Sequence, residues 1–310
     1  MWAGRVASPG ADDLVSGVLA VGSPRWRCAG GVSSLVDAVR EVGPVWSHTC
    51  SFDELFLPYV VPDEAVGRLG GDPDWLRTWM AVWKAGKADV VVPVRDLADT
   101  PASLSVPVRR FSWRAGQRHR PSLEFLVSTG RQHGFESLAE RRLLLALDFA
   151  GEVAEVLSQP FRLRFARVDG ADSHTPDFLA LTPGAAWLLD VRPAGRVEKE
   201  DEVRFAAAAQ AAAAVGWRYA VVTGWHRQVM TVLDTLSARR RPMTDRLGLQ
   251  NQIVSVLGRQ PRQFGDLVEQ TQVPAVARAH VVHLLWHRRL AVDLRQPFGD
   301  ATWVYPVGGC

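Results

Sequence analysis

The chain has 310 residues, 47% of them hydrophobic and 22% charged, with a formal net charge of +3. That suffices for a substantial core and suggests two or three domains, while no apolar run approaches the ~18 residues a membrane span needs. MWAGRVASPGADD lacks the apolar stretch of a signal peptide, and Cys28, Cys50 and Cys310 form no CxxC framework, so a soluble, cytoplasmic protein is expected.

Residues 1–105 read as an acidic N-terminal α+β extension whose role the residues do not reveal. Its clearest feature is DPDWLRTWMAVWKAG, read as a helix with Asp72 as cap and Pro73 in the first turn. Trp75, Trp79 and Trp83 recur every four residues and so share a face, which reads as core or protein interface before base stacking. Residues 106–134 change character. Arg109, Arg110, Arg114, Arg118, Arg120 and Arg131 surround a single acid, Glu124, with Phe111, Trp113 and Phe125 interleaved. Such a stretch is either a DNA-backbone contact, carried by Arg114, Arg118 and Arg120, or a charged surface linker.

From Glu136 to Val222 the chain reads helix, strand, a strand pair closed by a tight turn, helix, strand. Ser137-Leu-Ala-Glu140 opens the first helix as a capping box. Glu140 also shares a face with Leu143, Leu144 and Leu147, where a charge calls for a partner or a metal. Both readings stand. GEVAEVLSQPFRLRF supplies a strand or two, with Gln159 read as structural. Phe178–Leu181 and Ala186–Val191 flank Thr182-Pro183-Gly184-Ala185, the pattern of a hairpin. Folded there, it sets Asp177 opposite Asp190, with Cβ atoms roughly 4.5–5.5 Å apart. Carboxylates that close repel unless a proton or a cation lies between them. A salt-bridged pair such as Asp190 with Arg192 is the plainer reading. Arg192, two residues on, projects from the same face as Asp190. His174 reads either as a phosphate contact or as a hydrogen-bonded loop residue. VEKEDEVRFAAAAQAAAAVGW predicts a helix stopped at Gly216, and RYAVVT the next strand.

A helix over about 228–239 ends in Arg239-Arg240-Arg241-Pro242, read as a module boundary. From Leu236 on, ten Lys/Arg face five Asp/Glu. Helices over 247–257, 263–270 and 275–286, then strands over 290–294 and 302–305, read as a winged helix. Arg278, Arg288 and Arg289 would face either a DNA groove or a protein partner. No GxxxxGK[ST], GxSxG or HExxH motif is present, and no dinucleotide fingerprint follows a predicted strand.

Glu140 on a first helix, Pro176-Asp177 opening a strand and Asp190-Val191-Arg192 on the next together resemble the PD-(D/E)xK nuclease superfamily. More narrowly, ESLAERRLLLALDF, SQPFRL, HTPDF, LLDVRP and GWRYAVVTGW resemble the TnsA-like endonuclease subunits of heteromeric bacterial transposases, over about 106–225. The resemblance implies an α/β protein with a restriction-endonuclease-like αβββαβ core and a mixed sheet over 106–235. The winged-helix-like domain would then follow over 236–310. It implies Mg²⁺, replaceable by Mn²⁺, on Glu140, Asp177, Asp190 and the Val191 carbonyl, and hydrolysis of a phosphodiester in double-stranded DNA at transposon ends. It also implies an integrase-type transposase and a regulatory ATPase as partners.

The resemblance departs from the family at Arg192, where Lys is usual. Arg clamps a phosphate but cannot deprotonate water. The lysines of the chain are Lys84, Lys87 and Lys199 alone, so a general drift to Arg explains the change without loss of activity; Lys199, near the start of the next helix, reads as a solvated helix-start charge before a cation that reaches the site. The alternative is a catalytically inactive nuclease-fold subunit that binds DNA or assembles a transposition complex. A third reading, a winged-helix regulator with a sensory α/β domain, leaves the acidic hairpin unused.

Overall fold

The computed structural model describes residues 43–100, 106–108, 121–150 and 153–308. Their elements run β1 (Phe56–Pro58), α1 (Asp63–Gly67), α2 (Trp75–Thr78), β2 (Met80–Ala85), β3 (Ala88–Pro93), β4 (Ser122–Leu126), β5 (Arg131–Phe135) and α3 (Leu138–Ala150). There follow β6 (Glu155–Ser158), β7 (Phe161–Arg167), β8 (Gly170–His174), β9 (Phe178–Leu181), β10 (Ala186–Val191), α4 (Lys199–Ala214), β11 (Arg218–Trp225) and α5 (Arg227–Ser237). The chain closes with α6 (Leu249–Leu257), β12 (Arg262–Gln263), α7 (Phe264–Glu269), α8 (Pro274–Trp286), β13 (Leu290–Ala291) and β14 (Trp303–Pro306). The class is mixed α/β.

The central sheet has the order β1-β11-β10-β9-β6. Strands β10 and β11 run parallel, joined by the α4 crossover, and the other neighbours are antiparallel. Its two faces separate by strand alternation. Phe178, Ala180 and Leu189 point into the core shared with α3, whose Leu143 to Leu147 are buried there. Leu179 and Leu188 point the other way, against α4. The alanines Ala206, Ala207, Ala208, Ala211 and Ala212 are all buried, since their small side chains let α4 lie close on the sheet. Gly216 ends the helix at φ +73°, the left-handed conformation that Gly tolerates best.

A second sheet, β3-β2-β7-β8, forms around the β7–β8 hairpin inserted between β6 and β9. Its Ala81, Trp83, Phe161, Leu163 and Phe165 share the core that α4 builds with Leu179 and Leu188. Here the expected tryptophan helix is corrected: only Trp75–Thr78 is helical, and Met80–Ala85 is a strand of a hairpin closed at Gly86-Lys87. A spacing of four suits a strand as well as a helix, since residues four apart share a side in both, and Trp79, Ala81 and Trp83 are buried, as is Val82 between them. Their assignment to a core holds. Asp72 accepts from the Asp74 N–H and the Thr78 hydroxyl, both at 2.8 Å.

Residues 44–100 are built into the same body as the core that follows. β1 adds to the central sheet beside β11, and β2 pairs with β7. Pro44–Cys310 form one compact unit, and its core is continuous across 235–236. Ile253, Leu267, Val281 and Leu284 belong to the cluster of α3 and α5, and the rings of Phe149 and Trp286 meet edge to face at 5.2 Å. In the last third of the chain, helices α6, α7 and α8 stand with a three-stranded sheet of order β12-β14-β13. No helix among the described residues is long and apolar enough to cross a membrane.

Candidate functional site

The β9–β10 hairpin has the expected strands, and Thr182 fixes its turn. The Thr182 hydroxyl donates to the Ala185 carbonyl at 2.8 Å, and the Thr182 N–H donates to the same carbonyl at 2.9 Å. Leu189 pairs with Phe178, where the regular register ends, and one step on the chain bends at Asp177, whose N–H donates to the Leu189 carbonyl at 3.1 Å. Alternation puts Asp190 on the side of Leu188, the face that α4 covers, and Asp177 lies beside it at the strand end. Asp177 is half-buried, and its Oδ2 accepts the Val191 N–H at 2.8 Å. The Asp177 carbonyl is held by the Gln159 N–H at 2.7 Å, from a buried residue in the left-handed region at φ 49°. Gln159 thus does structural work at the site's edge.

Asp190 is 3% exposed. His174 Nε2, from the end of β8, lies 2.9 Å from its Oδ2 and 3.0 Å from its Oδ1, and the Tyr219 hydroxyl donates to Oδ2 at 2.7 Å. Phe205 of α4 meets the His174 ring edge to face at 6.0 Å. Burial first, then the Asp190 and Asp177 charges, push the Tyr219 hydroxyl well above its ordinary pKa. Both carboxylates therefore act on one spot. His174, an open alternative in the sequence, is a hydrogen-bonded residue at a strand end. Tyr219 and Phe205 were not singled out from the sequence. The signal available was the tyrosine itself, a polar tip in the apolar run of β11 whose buried hydroxyl calls for a partner.

The other expected members lie elsewhere. Glu140 serves the start of α3: its N–H donates to Ser137 Oγ at 3.1 Å, the first half of the expected capping box, while its Oε2 accepts the N–H of Glu136, one residue before Ser137, at 2.8 Å. It stands on α3, which covers the sheet face opposite Asp190. Arg192 turns to the start of α4, where Nε donates to the Arg196 carbonyl at 3.0 Å and a terminal nitrogen pairs with Asp201 at 2.9 Å. The Asp190–Arg192 ion pair weighed from the sequence is thus not formed; Asp201 takes its place. Lys199 is exposed at the first residue of α4.

Among the described residues, no three His, Cys, Asp or Glu side chains stand together as a metal-holding group. The part of the expected ligand set that does come together is Asp177, Asp190 and the main chain of Val191. These are hard oxygen donors of the kind Mg²⁺ takes, and Mg²⁺ draws only one or two carboxylates from many proteins, completing its shell with waters and phosphate oxygens. In chemistry the pair fits the ion.

Of the expected DNA contacts, Arg114, Arg118 and Arg120 lie outside the described residues. Arg278 pairs with Asp300 and lies over the Phe264 ring. Arg288 is turned inward, donating to the Cys50 carbonyl at 2.8 Å with its guanidinium 5.2 Å from the centre of the Phe149 ring, so it is corrected from a groove contact to an internal strut. Arg289 is exposed and donates to Gln250 Oε1 at 3.0 Å. No known protein-family model and no curated protein matches the chain.

Proposed function

We propose that the chain is a DNA endonuclease subunit of the PD-(D/E)xK type, acting with an integrase-type transposase and a regulatory ATPase at transposon ends. The observation that carries this reading is an order of elements joined to a register. Leaving aside the inserted β7–β8 hairpin, α3, β6, β9, β10, α4 and β11 follow as αβββαβ. A mixed sheet lies between the two helices, and Asp177 and Asp190 stand near each other at one end of the β9–β10 pair, where Asp177 Oδ2 accepts the N–H of Val191 beside Asp190. An acid pair at strand ends in this order is the frame such nucleases use to hold a divalent ion. The three helices and three short strands after residue 248 are read as a winged helix in the same proposal.

Asp177, Asp190 and the Val191 carbonyl would hold Mg²⁺. When bound, the ion supplies an activated water at neutral pH and stabilises the leaving oxygen. The chain's own residues do the rest. His174 and Tyr219 fix the Asp190 carboxylate from two sides, and the Val191 N–H orients Asp177. Arg192 is 40% exposed at its side chain and carries a permanent charge, so it stabilises charge building on a phosphate without taking a proton.

The test is calorimetric titration of Mn²⁺ into the wild type and Asp177→Ala with a short DNA duplex present. Uptake by the wild type and its loss in the variant support the site, and strand cleavage with the transposase added is then expected. No uptake by the wild type sinks the catalytic reading. A second reading, a nuclease-fold subunit that binds DNA and assembles the complex without cutting, has its own observation. Both Asp190 oxygens already have protein partners, and Arg192 is paired with Asp201.

A further inference from the structure

We infer that the arginine run at the end of α5, together with Arg289, forms a contact surface for the phosphate backbone of duplex DNA. The inference takes its DNA partner from the reading above and adds the surface. Arg239, Arg240 and Arg241 follow α5 directly, and two histidines of the α8 end fasten their main chain. His283 Nδ1 lies 2.8 Å from the Arg239 carbonyl oxygen, and His287 Nε2 lies 3.1 Å from that of Arg240. The two imidazoles meet at a tilt of 60° with ring centres 4.3 Å apart. Two residues beyond His287, Arg289 reaches Gln250 near the start of α6, and Arg246 is exposed in the loop leading there. Arg239, Arg240 and Arg241 are thus held beside the end of α8 that leads to Arg289, with Arg246 in the loop between the run and α6.

The charges there do not cancel. Arg240 is spent on Glu124, which Arg141 also binds. Asp245 accepts the N–H groups of Leu249 and Gln250 and caps α6, with the His280 ring 3.9 Å away. Arg239, Arg241, Arg246 and Arg289 have no carboxylate within ion-pair distance among the described residues, and all four are exposed. Arg241 is held outward over the Phe125 ring, its guanidinium 5.2 Å from the ring centre.

A guanidinium fork is built for phosphate oxygens, and a cluster of them with few acids gives the salt-dependent attraction of backbone binding. Gln250 and Phe125 steady two of these side chains, which lowers the ordering cost of binding. An acidic protein surface is the competing partner. Main-chain anchoring of the run by both histidines favours a fixed array suited to the regular spacing of phosphates.

The experiment measures binding of a short duplex by anisotropy in EDTA, as a function of salt, for the full chain and for Arg239→Ala/Arg241→Ala/Arg289→Ala. The slope of log K against log salt is expected to fall by roughly one for each arginine removed, with affinity down at least about tenfold near 0.1 M salt. A control, Arg77→Ala/Arg162→Ala/Arg164→Ala, removes the same charge from exposed positions elsewhere and should change the slope far less. Unchanged binding in the first variant overturns the surface and gives it to an acidic protein instead. Equal losses in both variants overturn it too, as an effect of net charge alone. Since EDTA removes the metal, either result is independent of whether Mn²⁺ binds at Asp177.

Discussion

His174 Nε2 and Asp190 Oδ2 lie 2.9 Å apart and join the edge strand of one sheet to a central strand of the other. The contact puts the most buried acid of the candidate site beneath the inserted β7–β8 hairpin. It makes His174 a bolt between layers as well as a member of the site, so changes here move stability and function together.

His174→Ala should destabilise the fold by about 2–3 kcal/mol, the usual range for a hydrogen bond to a charged group whose partner is left buried. Tyr219→Phe should cost about 1–3 kcal/mol for the same reason. Replacing His174 and Asp190 together should cost less than the sum of the single changes, because the double variant leaves no stranded carboxylate. Urea unfolding of the four proteins in the cycle decides it; simple additivity would mean that the pair does not interact as drawn.

Alkaline pH should weaken the fold through two tyrosines. Tyr219 is pushed well above its usual value by burial and by Asp190, and Tyr59 is pushed up to about 12 by its bond to Glu202. A pKa raised in the folded state means the proton is held more tightly there. The stability it contributes is complete below the unfolded value near ~10 and drains away as pH rises toward the folded one. Thermal melts between pH 9 and 11 should fall in the wild type, and less steeply in Tyr59→Phe/Tyr219→Phe. Parallel curves would show that other groups govern the alkaline limb.

The hairpin that organises the site was legible because three signals agreed: two short apolar runs, a Pro-Gly turn and the parity of the strands. Parity predicts Asp177 across from Asp190; the strands are as read, but the chain bends at Asp177, whose N–H goes to the Leu189 carbonyl instead. The alanine helix and its Gly216 stop were legible for similar local reasons. What could not be read was tertiary. Glu140 has the helical spacing of a core-facing ligand, yet nothing local says which face of the sheet α3 will cover. Arg288 looks like a groove residue on a helical wheel, but its carbonyl partner at Cys50 lies far away in sequence. The tryptophan stripe failed as a helix and held as core, since residues four apart share a side in both geometries.

Those tryptophans allow a sharper test. Trp79 and Trp83 are 1% and 2% exposed, and the indole N–H of each is buried without a hydrogen-bond acceptor among the described residues. Replacement by Ala should cost about 3–5 kcal/mol through lost burial and a cavity. Replacement by Phe removes the unsatisfied N–H along with part of the ring, and the two effects oppose each other. Trp83→Phe is therefore expected within about 1.5 kcal/mol of the wild type. A loss near that of Trp83→Ala would show that the indole nitrogen has a partner, a bound water among them.

The last prediction concerns Glu124, 7% exposed on β4 and bound by Arg240 and Arg141. One carboxylate thus ties α3 and the end of α5 to the β4–β5 hairpin. Arg240 is the dependent partner: its side chain is 16% exposed, and its Nε is already buried without an acceptor among the described residues. Removing the acid strands that charge, whereas Arg141 is 36% exposed and can turn to water. Glu124→Gln should then cost about 3 kcal/mol, Arg141→Ala clearly less. Adding Arg240→Met to Glu124→Gln should recover part of the loss, because the second change takes away the uncompensated guanidinium and keeps most of its apolar stem. Guanidinium chloride unfolding of these variants provides the comparison. If Arg240→Met deepened the loss instead, the stabilising element would be the stem's packing and the bond from Arg240 Nη1 to the Ser237 carbonyl at 3.0 Å, and the ion pair would be secondary.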